Sequence, residues 1–178
     1  MMALRFCPQC SAPLTDKIIE DRTRRVCSAE CGFIHYDNPT PVVAAVVEHD
    51  GLIVLARNVG WPRTFYGLIT GFLESKEHPA DCAVREVKEE LDLDATGVPQ
   101  LIGVYDFAVK NQVIIGYHVP AAGTITLNQE LDDYKRIAPE NCKVWPAGTG
   151  PALRDWLRSR GIEPQIIELP PRSEAQSE

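Results

Sequence analysis

The stretch Gly71-Phe72-Leu73-Glu74-Ser75-Lys76-Glu77-His78-Pro79-Ala80-Asp81-Cys82-Ala83-Val84-Arg85-Glu86-Val87-Lys88-Glu89-Glu90-Leu91-Asp92-Leu93 decides how the chain is read. His78 stands at an N-cap position, Pro79 suits the first helical position, and Asp81 favours the positive end of a helix dipole. At about 100° per residue, Ala80, Ala83, Val84, Val87 and Leu91 fall on one apolar arc. Glu86, Glu89 and Glu90 gather on the arc facing away. Such a face is ordinarily a solvated charged surface. Like charges three and four positions apart nevertheless repel by a few tenths of a kcal/mol, and a hard dication would remove that repulsion. Mg²⁺ prefers carboxylate and water oxygens, often shared with substrate phosphates.

Outward from this helix the pattern is of strands. Val42 to Val47 is a β-branched run suited to a buried strand, Asp50-Gly51 is a hairpin signal, and Leu52 to Ala56 reads as the returning strand. Trp61 to Tyr66 is an aromatic-rich loop before a short strand at Leu68 to Thr70. Leu101 to Phe107 and Val113 to Val119 read as strands joined through Lys110-Asn111-Gln112. Pro151 to Arg160 reads as a closing helix with Ala152, Leu153, Trp156 and Leu157 on its buried stripe. The expected fold is a mixed α+β domain, with strand order open.

The front of the chain differs in kind. Cys7-Pro8-Gln9-Cys10 and Cys27-Ser28-Ala29-Glu30-Cys31 are two knuckles sixteen residues apart, the spacing of a tetrahedral Zn²⁺ site. So short a module cannot bury enough apolar area by itself, and metal can supply the missing folding free energy. Asp37-Asn38-Pro39-Thr40-Pro41 reads as the linker. Cys82 and Cys142 stand alone without a histidine partner, which argues against nucleophilic roles.

The composition sets limits. The 178 residues carry a formal charge of −7, with 44% hydrophobic and 24% charged. They allow one ordinary domain and a small module. No apolar run approaches membrane-spanning length and the first residues lack a signal-peptide stretch, so the expectation is a cytoplasmic protein without a membrane partner. The acidic balance disfavours a general grip on nucleic acid.

The glutamate stretch resembles the Nudix box, G-x5-E-x7-R-E-U-x-E-E-x-G-U with U apolar. Gly71, Glu77, Arg85, Glu86, Val87, Glu89, Glu90 and Leu93 match, while Asp92 replaces the final glycine. The resemblance implies a Nudix α/β/α sandwich and Mg²⁺- or Mn²⁺-dependent hydrolysis of the pyrophosphate bond in a nucleoside diphosphate linked to another moiety. Glu86, Glu89 and Glu90 would hold the cations, with a main-chain oxygen of Gly71 nearby. Arg85 would pair with Glu77. A further carboxylate from a later loop is expected, for which Glu130 is the candidate, and Glu86 and Glu130 are both open as the base.

A zinc ribbon before a Nudix domain, with Cys31-Gly32-Phe33-Ile34-His35-Tyr36-Asp37-Asn38-Pro39, is similar to NADH pyrophosphatases and to flavin-nucleotide or ADP-ribose pyrophosphatases. The Ser-Gln-Pro-Trp-Pro-Phe-Pro element of NADH pyrophosphatases is missing, which leaves the broader class. Expected boundaries are a structural-zinc ribbon at 1–38, a Nudix domain at 39–165 and a disordered tail at 166–178. Arg57 and Arg63 are candidate phosphate contacts, and Trp61, Phe65, Tyr66, Tyr105 and Tyr117 candidate stacking surfaces. A homodimer is compatible with many relatives. The rival readings are a nucleic-acid or protein-binding module on a Nudix scaffold, and an RNA-cap hydrolase, which would need a basic track the sequence lacks.

Overall fold

The computed structural model describes residues 4–167, and they form two compact units that divide between Pro39 and Thr40. In the first unit, β1 (Leu14–Ile19), β2 (Arg22–Cys27) and β3 (Ile34–His35) make an antiparallel sheet in the order β1-β2-β3. Its apolar core is small: Cys7, Leu14 and Cys27 are buried, with Ala12 and Phe33 packed against them. Two of those three buried residues are cysteines.

The second unit contains β4 (Thr40–His49), β5 (Leu52–Asn58), β6 (Ile69–Phe72), α1 (Pro79–Leu91), β7 (Asp94–Ala95), β8 (Gln100–Phe107), β9 (Gln112–Ala122), β10 (Leu131–Ile137), β11 (Lys143–Val144), α2 (Gly150–Ser159) and β12 (Gln165–Ile166). The main sheet runs β10-β5-β4-β9-β7, with β6 paired to β4 and β8 to β9. At its centre β4 and β9 are parallel over ten residue pairs. A central parallel strand is covered on both faces, which explains the unbroken apolar run from Val42 to Val47.

Alternation along β4 then sorts the two cores. Val43, Ala45 and Val47 pack with Ala83, Val87 and Leu91 of α1. Val42, Ala44 and Val46 pack with Leu153, Trp156 and Leu157 of α2. The sheet is sandwiched between the two helices, the α/β/α arrangement expected.

Two parts of the sequence reading are corrected. Leu131–Ile137, unassigned from sequence, is strand β10 against β5. Residues 166 and 167 belong to the fold: β12 pairs in parallel with β11, and Ile167 N donates to Val144 O at 2.8 Å. The rest of the expected disordered tail lies outside the described residues.

Candidate active site

The site is built around α1 and the loop that precedes it. His78 caps the helix, with Ala80 N donating to His78 Nδ1 at 3.2 Å, and Pro79 follows in the first turn. Arg85 reaches back across this loop. Its Nε donates to Glu77 Oε1 at 2.7 Å and its Nη2 to Glu77 Oε2 at 3.2 Å, a forked pairing of two planar groups. Together with the Glu74 N–H on Glu77 Oε2, this holds the Glu77 carboxyl down to about 2. The same guanidinium donates through Nη1 to Glu86 Oε1 at 2.6 Å and Glu89 Oε2 at 2.9 Å. Arg85 is therefore the cation that three glutamates share.

Glu90 departs from the helical-wheel reading. It was expected on the outward arc with Glu86 and Glu89, and it is 5% exposed. The segment after β9 folds over it: Thr126 N donates to Leu91 O and Asn128 N to Glu90 O. Its carboxylate receives no hydrogen bond among the described residues. Burial first, then the charges of Glu86, Glu130 and Glu89, push it up to about 8. Glu86 is half-buried and also raised, chiefly by burial, with Glu89 and Glu130 adding repulsion against the pull of Arg85. An unpaired buried carboxylate is costly. Four carboxylates from α1 and the loop before β10 thus act on one another through space.

Gly71 sits on the opposite wall. It pairs with Val43 across the sheet, and a Cβ there would fall on the Glu86 carboxylate. The side chain that this position lacks makes room for Glu86. Cys82 is fully buried on the glutamate side of α1, where Arg85 Nη2 donates to its Sγ at 3.3 Å; the thiol donates to Phe72 O at 3.6 Å, and burial pushes it up to about 12.

On the other face of the sheet, the residue next to Gly71, Thr70, lines a cavity of about 740 Å³. Trp61, Phe65, Phe107 and Trp145 supply its aromatic walls. Phe65 packs against both indoles, 4.9 Å from the Trp61 ring and 5.9 Å from Trp145. Trp145 and Phe107 were not among the stacking candidates: Trp145 is a lone aromatic outside any periodic segment, and Phe107 ends a strand whose pattern does not show which face meets the cavity. Of the other stacking candidates, Tyr117 is buried with the α1 core, while Tyr105 packs on the α2 core and donates to Asp155. Tyr66 donates to Asp133, and Arg57 bonds Asp132, Arg63 O and Tyr66. These two side chains are occupied within the protein. Arg63 is exposed, and among the described residues its carbonyl accepts from Arg57 while no bond to its side chain is seen.

A family model described as NUDIX domain matches residues 38–158. The chain belongs to the Nudix family. A second model, described as Nudix N-terminal, matches residues 5–37 of this Nudix chain. Among curated relatives, the NAD-capped RNA hydrolase NudC of Pseudomonas putida (strain W619) is 29% identical over 146 residues, 81% of this chain and 51% of that protein. The protein of the same name from Stutzerimonas stutzeri (strain A1501) is 27% identical over 145 residues, 80% of this chain and 51% of that one. The chain spans about half the length of the curated relatives it matches. A Nudix hydrolase crystal structure from Nitrosomonas europaea is similar at TM-score 0.69 and 22% identity, covering 93% of this chain and 100% of that one. An ADP-ribose pyrophosphatase from Streptococcus suis 89-1591 is similar at TM-score 0.55 and 17% identity, covering 73% and 100%. At these identities the structural likeness is one of fold.

The Nudix N-terminal unit gathers its four cysteines as the spacing predicts. The sulfurs of Cys7, Cys10, Cys27 and Cys31 all lie within 4.8 Å of one another. Ser11 and Glu30, with φ of 61° and 54°, turn the backbone beside the two knuckles. The Cys31 N–H aimed at the Cys27 sulfur leads the effects that draw its thiol down to about 6. Four convergent thiols around one point fit a tetrahedral zinc ion.

Proposed function

We propose that this chain hydrolyses the pyrophosphate bond of a nucleoside diphosphate linked to another moiety, releasing a mononucleotide, with Mg²⁺ or Mn²⁺ held by Glu86, Glu89, Glu90 and Glu130. The observation that carries this is Glu90: buried, without a hydrogen-bond donor among the described residues, and surrounded by like charges. A protein gains nothing from such a group unless a cation completes it, and the oxygen-only donor set fits a hard dication. When bound, such an ion supplies charge to the diphosphate oxygens and makes water a stronger nucleophile.

The chain's own residues then have separate tasks. The Arg85–Glu77 fork fixes the loop before α1 against the helix that carries Glu86 and Glu90. Gly71 leaves the space into which Glu86 reaches. Trp61, Phe65 and Trp145 offer ring faces to a base or flavin. The proton leaving the attacking water goes to Glu86 or Glu130. The Gln variant that keeps Mn²⁺ bound while losing turnover identifies which. A structural Zn²⁺ held by Cys7, Cys10, Cys27 and Cys31 completes the first unit.

A second reading, in which the diphosphate is the cap of an RNA, is favoured by the relatives named NAD-capped RNA hydrolase. The formal charge of −7 counts against a grip on the RNA body. Both readings are tested together by incubating the protein with NADH, FAD, ADP-ribose and NAD-capped RNA in Mg²⁺ or Mn²⁺ and following nucleotide release by chromatography. Mononucleotide from at least one substrate, abolished by EDTA, is expected. No release from any of them by natively folded protein would refute the proposal.

A further inference from the structure

We propose that Arg57 is a positioning residue for the aromatic wall of the cavity, acting through a β-bulge at Asp132. This rests on the reading of that cavity as the ring-binding part of the substrate site. In β10, Leu131 pairs with Asn58 and Asp133 with Arg57, so Asp132 is an extra residue without a partner in β5. In a regular strand consecutive side chains point to opposite faces. A bulge re-aims one of them, and here both Asp132 and Asp133 turn to the same guanidinium, at 2.6 Å and 3.5 Å.

From that anchored position Arg57 holds the aromatic loop at two points. Its Nη1 donates to Arg63 O at 3.2 Å and to Tyr66 OH at 3.3 Å. Tyr66 is fixed in turn by its hydroxyl on Asp133 and by Lys135 Nζ, 3.9 Å from its ring centre. Trp61 and Phe65 lie on the segment so restrained. Beyond these, the loop is held where it leaves β5 by Val59 N on Glu130 O, by local turn bonds from Trp61 N to Asn58 O and Phe65 N to Pro62 O, by the packing of Phe65 on Trp145, and by the Ala56–Gly67 bridge at its end.

The same geometry separates this task from that of Glu130. The backbone there is held by Val59 N donating to Glu130 O at 2.8 Å and by the Leu131–Asn58 pair, neither of which involves the guanidinium. Disturbing Arg57 therefore loosens the ring wall and leaves the carboxylates in place. A lysine in its position keeps the charge and loses the fork. An Asp132→Asn change keeps Arg57 and weakens its anchor.

The test uses the full chain as wild type, Arg57→Lys and Asp132→Asn. Hydrogen exchange by mass spectrometry is read over residues 59–67 and 126–131, and ADP-ribose hydrolysis is resolved into KM and kcat. In both variants, faster exchange at 59–67 with 126–131 unchanged is expected. KM should rise about tenfold with kcat within about twofold. Unaltered exchange at 59–67, or a rise in KM confined to Arg57→Lys, overturns the proposal; the latter would mark Arg57 as a direct phosphate contact. If wild-type protein does not hydrolyse ADP-ribose, that choice of substrate fails and the exchange measurement alone decides the positioning claim.

Discussion

Glu77 and Glu90 sit on the same loop-helix element and are pushed in opposite directions by their surroundings. Glu77 has a fork of donors and is held down to about 2 from an ordinary 4.5. A carboxyl depressed on folding stabilises the protein above its ordinary value, and that contribution is lost as pH falls towards its folded value. The difference in melting temperature between wild type and Glu77→Gln is therefore expected to be largest above pH 4.5 and to close as pH falls towards 2. Among the described residues Glu90 has no donor, and three glutamates act on it. Glu90→Gln should consequently melt higher than wild type in EDTA, by roughly a few degrees, and gain less from added Mn²⁺. A lower melting temperature in EDTA would show that Glu90 is satisfied without a cation.

Asp92, the one departure from the box, occupies the left-handed region at φ 55° just past α1. Glycine is favoured there because it has no Cβ to strain. Lys88 offsets the loss by reaching Asp92 at 2.8 Å and Asp94 at 3.0 Å, an exposed pairing worth a fraction of a kcal/mol. Asp92→Gly is expected to stabilise the chain by roughly 0.5 kcal/mol in urea titrations.

At the scale of elements, α1 was the most legible part of the chain, because cap, proline, apolar arc and motif spacing all agree. The outward arc still misplaced Glu90, which at about 100° per residue lies beside Ala83 at the border of the apolar arc and is covered by the 126–128 segment. β10 was illegible for another reason. Leu-Asp-Asp-Tyr-Lys-Arg-Ile is an edge strand rich in charge, and its bulge, which turns both aspartates to Arg57, breaks the alternation. At β6 the packing is close enough to forecast a consequence. Gly71→Ala would drive the Glu86 carboxylate out of its place, so turnover should fall by at least about tenfold with the protein still folded. Turnover near wild type would mean that Glu86 is free to act from elsewhere.

At the scale of the whole molecule, the chain joins two units stabilised in different ways. The second has an extensive core on each face of its sheet; the first has little beyond its cysteines. Structural zinc contributes about 10–16 kcal/mol to small domains of this kind. Stripping zinc should therefore unfold residues 4–39, seen as new protease cleavages there, and spare the second unit. Protection of that segment in zinc-free protein would contradict a structural role. The ribbon and the Nudix box were readable because metal chemistry demands fixed residue types at fixed spacing. The cavity was not, since its walls come from segments distant in sequence that only the fold brings together.

Counting bound Mn²⁺ by electron paramagnetic resonance, in wild type and Glu90→Gln side by side with hydrolysis of the same samples, is the most direct test of the carboxylate site. Wild-type protein is expected to sequester at least one Mn²⁺ that the variant leaves free, and nucleotide release should fall by orders of magnitude in parallel. Equal Mn²⁺ binding and equal turnover by Glu90→Gln would contradict the assignment.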